Sequence, residues 1–357
     1  MKKIIFLLTL IATTFLLSSC KKESVQTDEE IPTVVSDVVL TSFSINVAQG
    51  TYNDLAEQSN QLLTAIQKFN STGSDADLEQ CRSLWKTARS AWEQSEGFLF
   101  GPVSTNNIDP RIDTWPVNYV DLDSVLSSNA VFTDAYIEGL EDALRGFHPI
   151  EYLLFGQNGA KTAAQVTTRQ KEYLLALGEN LKKLTMDVAK SWNPATTGNY
   201  HDEFIKAGEG SKIYPTRRAA YEEVVKAMVG ICDEVANAKI EEPYAAQDST
   251  LEESPFAKNS IKDFTNNIIS VQNIYFGRYK TDGSALEDMV KENYLALDKN
   301  MKVKLNNALA SLAQITLPFG RAIFEQPVQI ENAQKAINEL KDYMEGDLLK
   351  YVQTNIK

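Results

Sequence analysis

The hexapeptide Gly146-Phe147-His148-Pro149-Ile150-Glu151 places one of the chain's two histidines three residues before a glutamate. Pro149 suits the first position of a helix, where its missing N–H costs nothing. The spacing therefore predicts a helix from Pro149 to Phe155, with His148 at its cap and Glu151 one turn in. Residues i and i+3 share a side of such a start. An imidazole nitrogen and a carboxylate oxygen converging there can hold a cation. They can equally be a capping carboxylate beside a solvent histidine, and spacing alone leaves both readings open.

Absent motifs narrow the chemistry. The sequence has no HExxH pair of the helical zinc proteases. The second histidine, His201, falls in "NPATTGNYHDEFIKAGEGSKIYP", read as a loop. A site at His148 must then draw mainly on oxygen ligands, which suit hard or borderline cations. Serine-hydrolase, P-loop and dinucleotide glycine patterns are missing as well.

Three further stretches offer polar groups in unusual settings. Trp85, Arg89, Trp92 and Glu96 recur at spacings of four, three and four, so one helix stripe carries two indoles, a guanidinium and a carboxylate. An amphipathic stripe with an arginine stacked on aromatics explains them as well as a site does. "IDPRIDTWP" supplies Asp109, Arg111, Asp113 and Trp115, and a tryptophan so near two aspartates predicts a loop packed inward. Asp263, Asn266, Asn267, Gln272 and Asn273 interrupt an otherwise apolar helix. If buried, such groups need partners.

The elements that must position these residues are helices. Leu55, Leu62, Ile66 and Phe69 form one stripe, and Leu78, Cys81, Leu84, Trp85, Ala88 and Trp92 form a second. Gly73 and Ser74 or Asp75 read as the stop and the N-cap between them. An irregular stretch follows Gly101; helices are expected over 134–147, 167–192 and 215–239 and again beyond residue 258. The prediction is an all-α chain of two helical bundles, residues 39–240 and 259–357, joined by a polar linker at 241–258. Phe-Gly occurs at 100–101, 155–156, 276–277 and 319–320, each read as a helix end with a left-handed glycine. Two such ends in each half hint at a duplication.

Residues 1–19 combine a basic start, an apolar run and small residues before Cys20, the pattern of a secretory signal. Leu17-Ser18-Ser19-Cys20 resembles a bacterial lipobox, which would leave Cys20 lipidated and the chain held at a membrane. Residues 20–38 read as a flexible tether. With 35 basic against 48 acidic residues, a formal charge of −13 argues against nucleic acid or an anionic lipid surface as partner. Cys81 and Cys232 fit one disulfide or two buried thiols equally well.

Taken together, "W…AR.AWEQSEGFLFGP", "IDTWP", the Gly146-x-His148-x-x-Glu151 motif and "ESPFAKNSIKDFTNNIISVQNIYFG" resemble the imelysin family, once grouped as M75 peptidases. The resemblance runs from about Val39 to the end. It implies two helical bundles with the histidine motif near their interface, and a secreted or lipid-anchored bacterial protein associated with iron uptake. Carried over by position, it implies His148 and Glu151 as ligands of iron or another divalent metal ion. Gly146, Glu96, Asp113 and Trp115 are implied as further binding residues. Partners would be a membrane, through Cys20, and iron-uptake machinery. The setting would be the Gram-negative cell envelope, at the outer membrane. Two other readings stand beside metal binding: a metallopeptidase with Glu151 as ligand or base, and a module binding a peptide or sugar without metal.

Overall fold

Leu55, Leu62, Ile66 and Phe69 are all buried on one face of α1, Gly50–Thr72, which ends at a left-handed Gly73. Ser74 then caps α2, Asp75–Glu93, accepting from the Asp77 N–H, and the second stripe packs its Trp85 and Trp92 inward. The computed structural model describes residues 31–357; the expected signal peptide, Cys20 and the expected tether as far as residue 30 lie outside the described residues. Six more principal helices follow: α3 Phe147–Phe155, α4 Thr168–Trp192, α5 Arg217–Glu234, α6 Ser260–Phe276, α7 Leu295–Leu312 and α8 Pro327–Tyr343. Shorter helices connect them, and no β-strand forms among the described residues. The all-α prediction holds.

α1, α2 and α4 pack together, with α3 laid across α2 and α4. α6, α7 and α8 form a second group, and α5 packs on α6 and α8. α5, which falls inside the expected 39–240 bundle, thus packs on helices of the second group and also on the turn Glu96–Phe98. One continuous apolar core runs from Ile31 to Ile356, and α2 against α6 is the seam between the groups.

Four local expectations need correction. The tether does not extend to residue 38, because a helix begins at Thr33 and buries Ser36, Val39 and Leu40. Segment 241–258 is no loose linker. It contains a helix, Glu241–Ala246, and then buries Glu252, Glu253 and Ser254, whose polarity serves internal hydrogen bonds. His201 lies on a short helix, Tyr200–Ile205, with Nδ1 2.8 Å from the Ser44 hydroxyl, rather than in an open loop. Of the Phe-Gly pairs, those at 155–156 and 276–277 end helices. Gly101 instead precedes a helix, and Gly320 lies inside one, so the pairs are not four equivalent ends. Cys81 and Cys232 are buried free thiols.

Candidate metal centre

Arg89 projects from α2 into the seam and is fully buried. Its guanidinium meets the carboxylate of Asp113, lies 2.5 Å from oxygens of both Glu93 and Glu253, and is 3.9 Å from Asp263. Burial alone would disfavour this charge, but the surrounding carboxylates hold the guanidinium well above its ordinary pKa. The amphipathic-stripe reading of this helix thus fails at Arg89, while the stack on an aromatic survives: the guanidinium carbon lies 5.4 Å from the centre of the Phe147 ring.

Gly146 explains how the histidine reaches this cluster. It adopts φ +83, and a Cβ there would sit 2.1 Å from the Ile112 carbonyl oxygen. Only glycine permits that approach, which brings the residue after Ile112 beside the residue two beyond Gly146. His148 Nε2 is 3.0 Å from Asp113 Oδ1 and 4.0 Å from Glu253 Oε1. Neither oxygen lies along the ring's donor direction, so this buried nitrogen has close carboxylates and no aligned hydrogen bond. On the other edge, Nδ1 is 3.4 Å from Glu151 Oε2, and the second oxygen of Glu151 accepts from the Ala257 N–H at 2.7 Å. Helix α3 starts at Phe147, two residues earlier than expected, so His148 lies in its first turn with Gly146 as the cap, and Glu151 follows one turn on. Glu151 braces one face of the imidazole while Asp113 and Glu253 face the other. Trp115 covers the ring, with centroids 5.1 Å apart.

A second cation enters from the far side. After α5 the chain makes a π-helical turn, Val235–Lys239. Such turns often re-aim a functional side chain, and this one ends on Lys239. Its Nζ is 2.8 Å from Glu96 and 3.5 Å from Glu253. Asn267 of α6 donates to Glu93 at 2.5 Å and to Glu96 at 2.8 Å. Asp263 accepts from Ser254 and Asn259, each at 2.7 Å.

The interior therefore collects the carboxylates of Glu93, Glu96, Asp113, Glu151, Glu253 and Asp263 around Arg89, Lys239 and His148. The negative excess shows in the proton affinities. Burial, reinforced by neighbouring acids, raises Glu96 and Asp263 well above the usual carboxylate range, and burial raises Glu93. Asp113 goes the other way: despite burial, the positive charges of Arg89 and His148 hold it well below that range. Burial works against the His148 imidazolium, but its contacts with Asp113 and Glu151 raise it to about 9. Two donor sets lie close enough to share an ion, their ligand atoms within 4.8 Å of one another: Asp113, His148 and Glu253, and Glu93, Glu96 and Asp113.

Of the residues singled out in the sequence, His148, Glu151, Asp113, Trp115 and Gly146 come together, and Glu96 joins through the Glu93–Lys239 side. Arg111 pairs with Glu138 instead. Asn266 and Asn273 meet Gln94 at 3.1 Å, interlocking α6 with the end of α2. Glu93, Lys239 and Glu253 escaped the sequence reading. Glu93 had a signal, since it follows Arg89 at i+4 on the same stripe; Glu253 was hidden by a segment that looks like a linker.

The imelysin model, described as Peptidase M75, matches residues 48–344. The chain belongs to the imelysin family. It is 29% identical over 345 residues to "Iron-regulated protein A" of Synechococcus elongatus, covering 95% of this chain and 90% of that one. Among solved structures it resembles one described as an iron-regulated protein A precursor from Parabacteroides distasonis, with a TM-score of 0.82 and 26% identity over 92% of this chain and 96% of that one. An imelysin-like protein from Psychrobacter arcticum shares the fold, with a TM-score of 0.75 at 15% identity over 91% of this chain and 98% of that one. In this imelysin the Gly-x-His-x-x-Glu motif thus has a physical meaning: the glycine admits Ile112, the histidine enters the seam, and the glutamate orients its ring.

Proposed function

We propose that this imelysin serves iron handling in the cell envelope by binding a metal cation at His148 Nε2, Asp113 and Glu253, with Glu151 orienting the imidazole. One observation carries the reading: a fully buried imidazole nitrogen without an aligned hydrogen bond faces two carboxylates, inside a cluster holding more acids than bases. Such a donor set, one nitrogen with carboxylate oxygens, suits divalent iron, manganese or zinc. The Glu151 contact to Nδ1 is the usual support of a metal-bound histidine. The names of the two iron-regulated relatives support iron over the other ions. A bound cation would neutralise part of the acidic excess now offset by Arg89 and Lys239.

The same geometry favours binding over peptide hydrolysis. His148 and Glu151 are completely buried, whereas a peptidase must present its ligands and an open water position to an extended chain. Calorimetric titration of the chelator-treated protein with ferrous iron under anaerobic conditions tests the reading. One saturable site in the wild type that is lost in His148→Ala and Glu253→Gln supports it; undiminished binding in both removes it. Chelator-sensitive cleavage of a peptide library would establish the peptidase instead.

Attachment through Cys20 completes the proposal, placing the helical body on a short tether at a membrane. No described helix is long and apolar enough to cross one. Labelling with radioactive palmitate in cells, abolished by Cys20→Ala, tests the attachment separately from the metal.

A further inference from the structure

At the opposite end of α3 from His148, a cavity of about 340 Å³ opens between the end of that helix and the start of α4. Its apolar wall is Tyr152 and Phe155, and its polar wall is Lys161 with Gln157, Gln165 and Gln170. On Lys161, Gln165 and Gln170 the hydrogen-bonding capacity left over is in donors. Thr162 and Thr167 each cap the helical turn that follows through a capping box, which commits the glutamine oxygens. Gln165 Oε1 accepts from the Thr162 N–H at 2.7 Å, and Gln170 Oε1 accepts from the Thr167 N–H at 3.2 Å and from Lys161 Nζ at 3.1 Å. With their oxygens fixed, both side chains have Nε2 groups left over, and no described residue accepts from either.

Lys161 is itself unusual. In a chain with a net charge of −13 its ammonium has no carboxylate partner among the described residues. Arg82, which donates to the Lys161 carbonyl and lies 5.3 Å from the centre of the Phe155 ring, adds positive charge beside it. Glu79, the acid beside Arg82, is already ion-paired to that arginine. Burial and then Arg82 bring the Lys161 ammonium down to about 8, which accords with a cation lacking its counter-ion.

We propose that this cavity binds a small oxyanion, a carboxylate or phosphate carried on a planar apolar group, with its oxygens on Lys161 Nζ and the free glutamine donors and its plane against Tyr152. A donor-rich wall complements an acceptor-rich ligand, and an aromatic wall adds area for a flat one. The site shares no residue with the charged cluster at His148, so the two proposals stand or fall independently.

Calorimetric titration of the full chain with phthalate, inorganic phosphate and uncharged phthalamide is the test. Saturable one-to-one binding of phthalate, absent for phthalamide and weakened about tenfold or more in Lys161→Met, is the expected result. Phosphate binding as tight as phthalate would support the site and identify the ligand class as phosphates rather than aromatic carboxylates. No saturable binding of either anion, or unchanged affinity in Lys161→Met while Lys212→Met behaves likewise, overturns it. If Lys161→Met fails to fold, the wild type still decides through reductive labelling with pyridoxal phosphate. Preferential modification of Lys161 that phthalate suppresses upholds the site, and uniform unprotected labelling of the lysines rejects it.

Discussion

Arg89 and Glu253, 164 residues apart in sequence, meet at 2.5 Å in the interior. Arg89 holds Asp113 and Glu93 as well, so one guanidinium ties α2, the short helix Ile108–Asp113 and the segment before α6 together. Its removal would leave several buried carboxylates without their cation. Arg89→Met is expected to destabilise the fold by about 3–5 kcal/mol, and Arg89→Lys should recover little, because an ammonium cannot serve these oxygens as a fork. Urea unfolding followed by circular dichroism measures both.

The two sides of the His148 ring have different expected sensitivities. Asp113→Asn and Glu253→Gln remove proposed ligands and should abolish measurable ferrous binding. Glu151→Gln keeps the shape but weakens the brace on Nδ1, and its affinity should fall about 10–100-fold. Equal losses across the three variants, read by calorimetry, would instead make Glu151 a ligand in its own right.

The imidazole also makes a pH prediction for the chelator-treated protein. His148 is raised from its ordinary 6.5 to about 9, so between those values the folded state binds the extra proton. Its contribution, a ceiling of roughly 3 kcal/mol, is fully present below pH 6.5 and lost as the pH rises through 9. An imidazole resonance that titrates near 6.5 by NMR would contradict this, as would stability that climbs between pH 7 and 9.

Gly146→Ala tests the hinge of the motif. A Cβ at φ +83 strains the backbone and collides with the Ile112 carbonyl, so a loss of at least about 1–3 kcal/mol is expected. Because the displaced contact is what aligns His148 with Asp113, metal affinity should fall together with the melting temperature. A melting temperature equal to that of wild type would show that the chain passes Ile112 another way.

Much of the candidate site was legible before folding was considered. Glycine, proline, histidine and glutamate at these spacings describe a helix start that presents a ring and a carboxylate, and both are there. The amides of α6 announced themselves as polar groups on an apolar helix, and the inward packing of Trp115 and Asp113 was visible, although Asp113 ends a short helix, Ile108–Asp113, where a loop was expected. Glu253 and Lys239 were not legible. A lysine ending a π-helical turn and a glutamate in a proline-bearing acidic stretch look like solvent-facing residues in any local window, since nothing nearby in sequence marks them as buried.

The sequence by itself determined the helices, their caps and the His148–Glu151 turn, because periodicity, capping and i, i+3 spacing are local properties of the chain. Only the tertiary structure decided which carboxylates face the other edge of the imidazole, that α5 packs on α6 and α8, and that segment 241–258 is part of the core. Those outcomes depend on long-range burial: once α2 and α6 pack, every charge trapped between them must find a partner, and the partners come from wherever the fold delivers them.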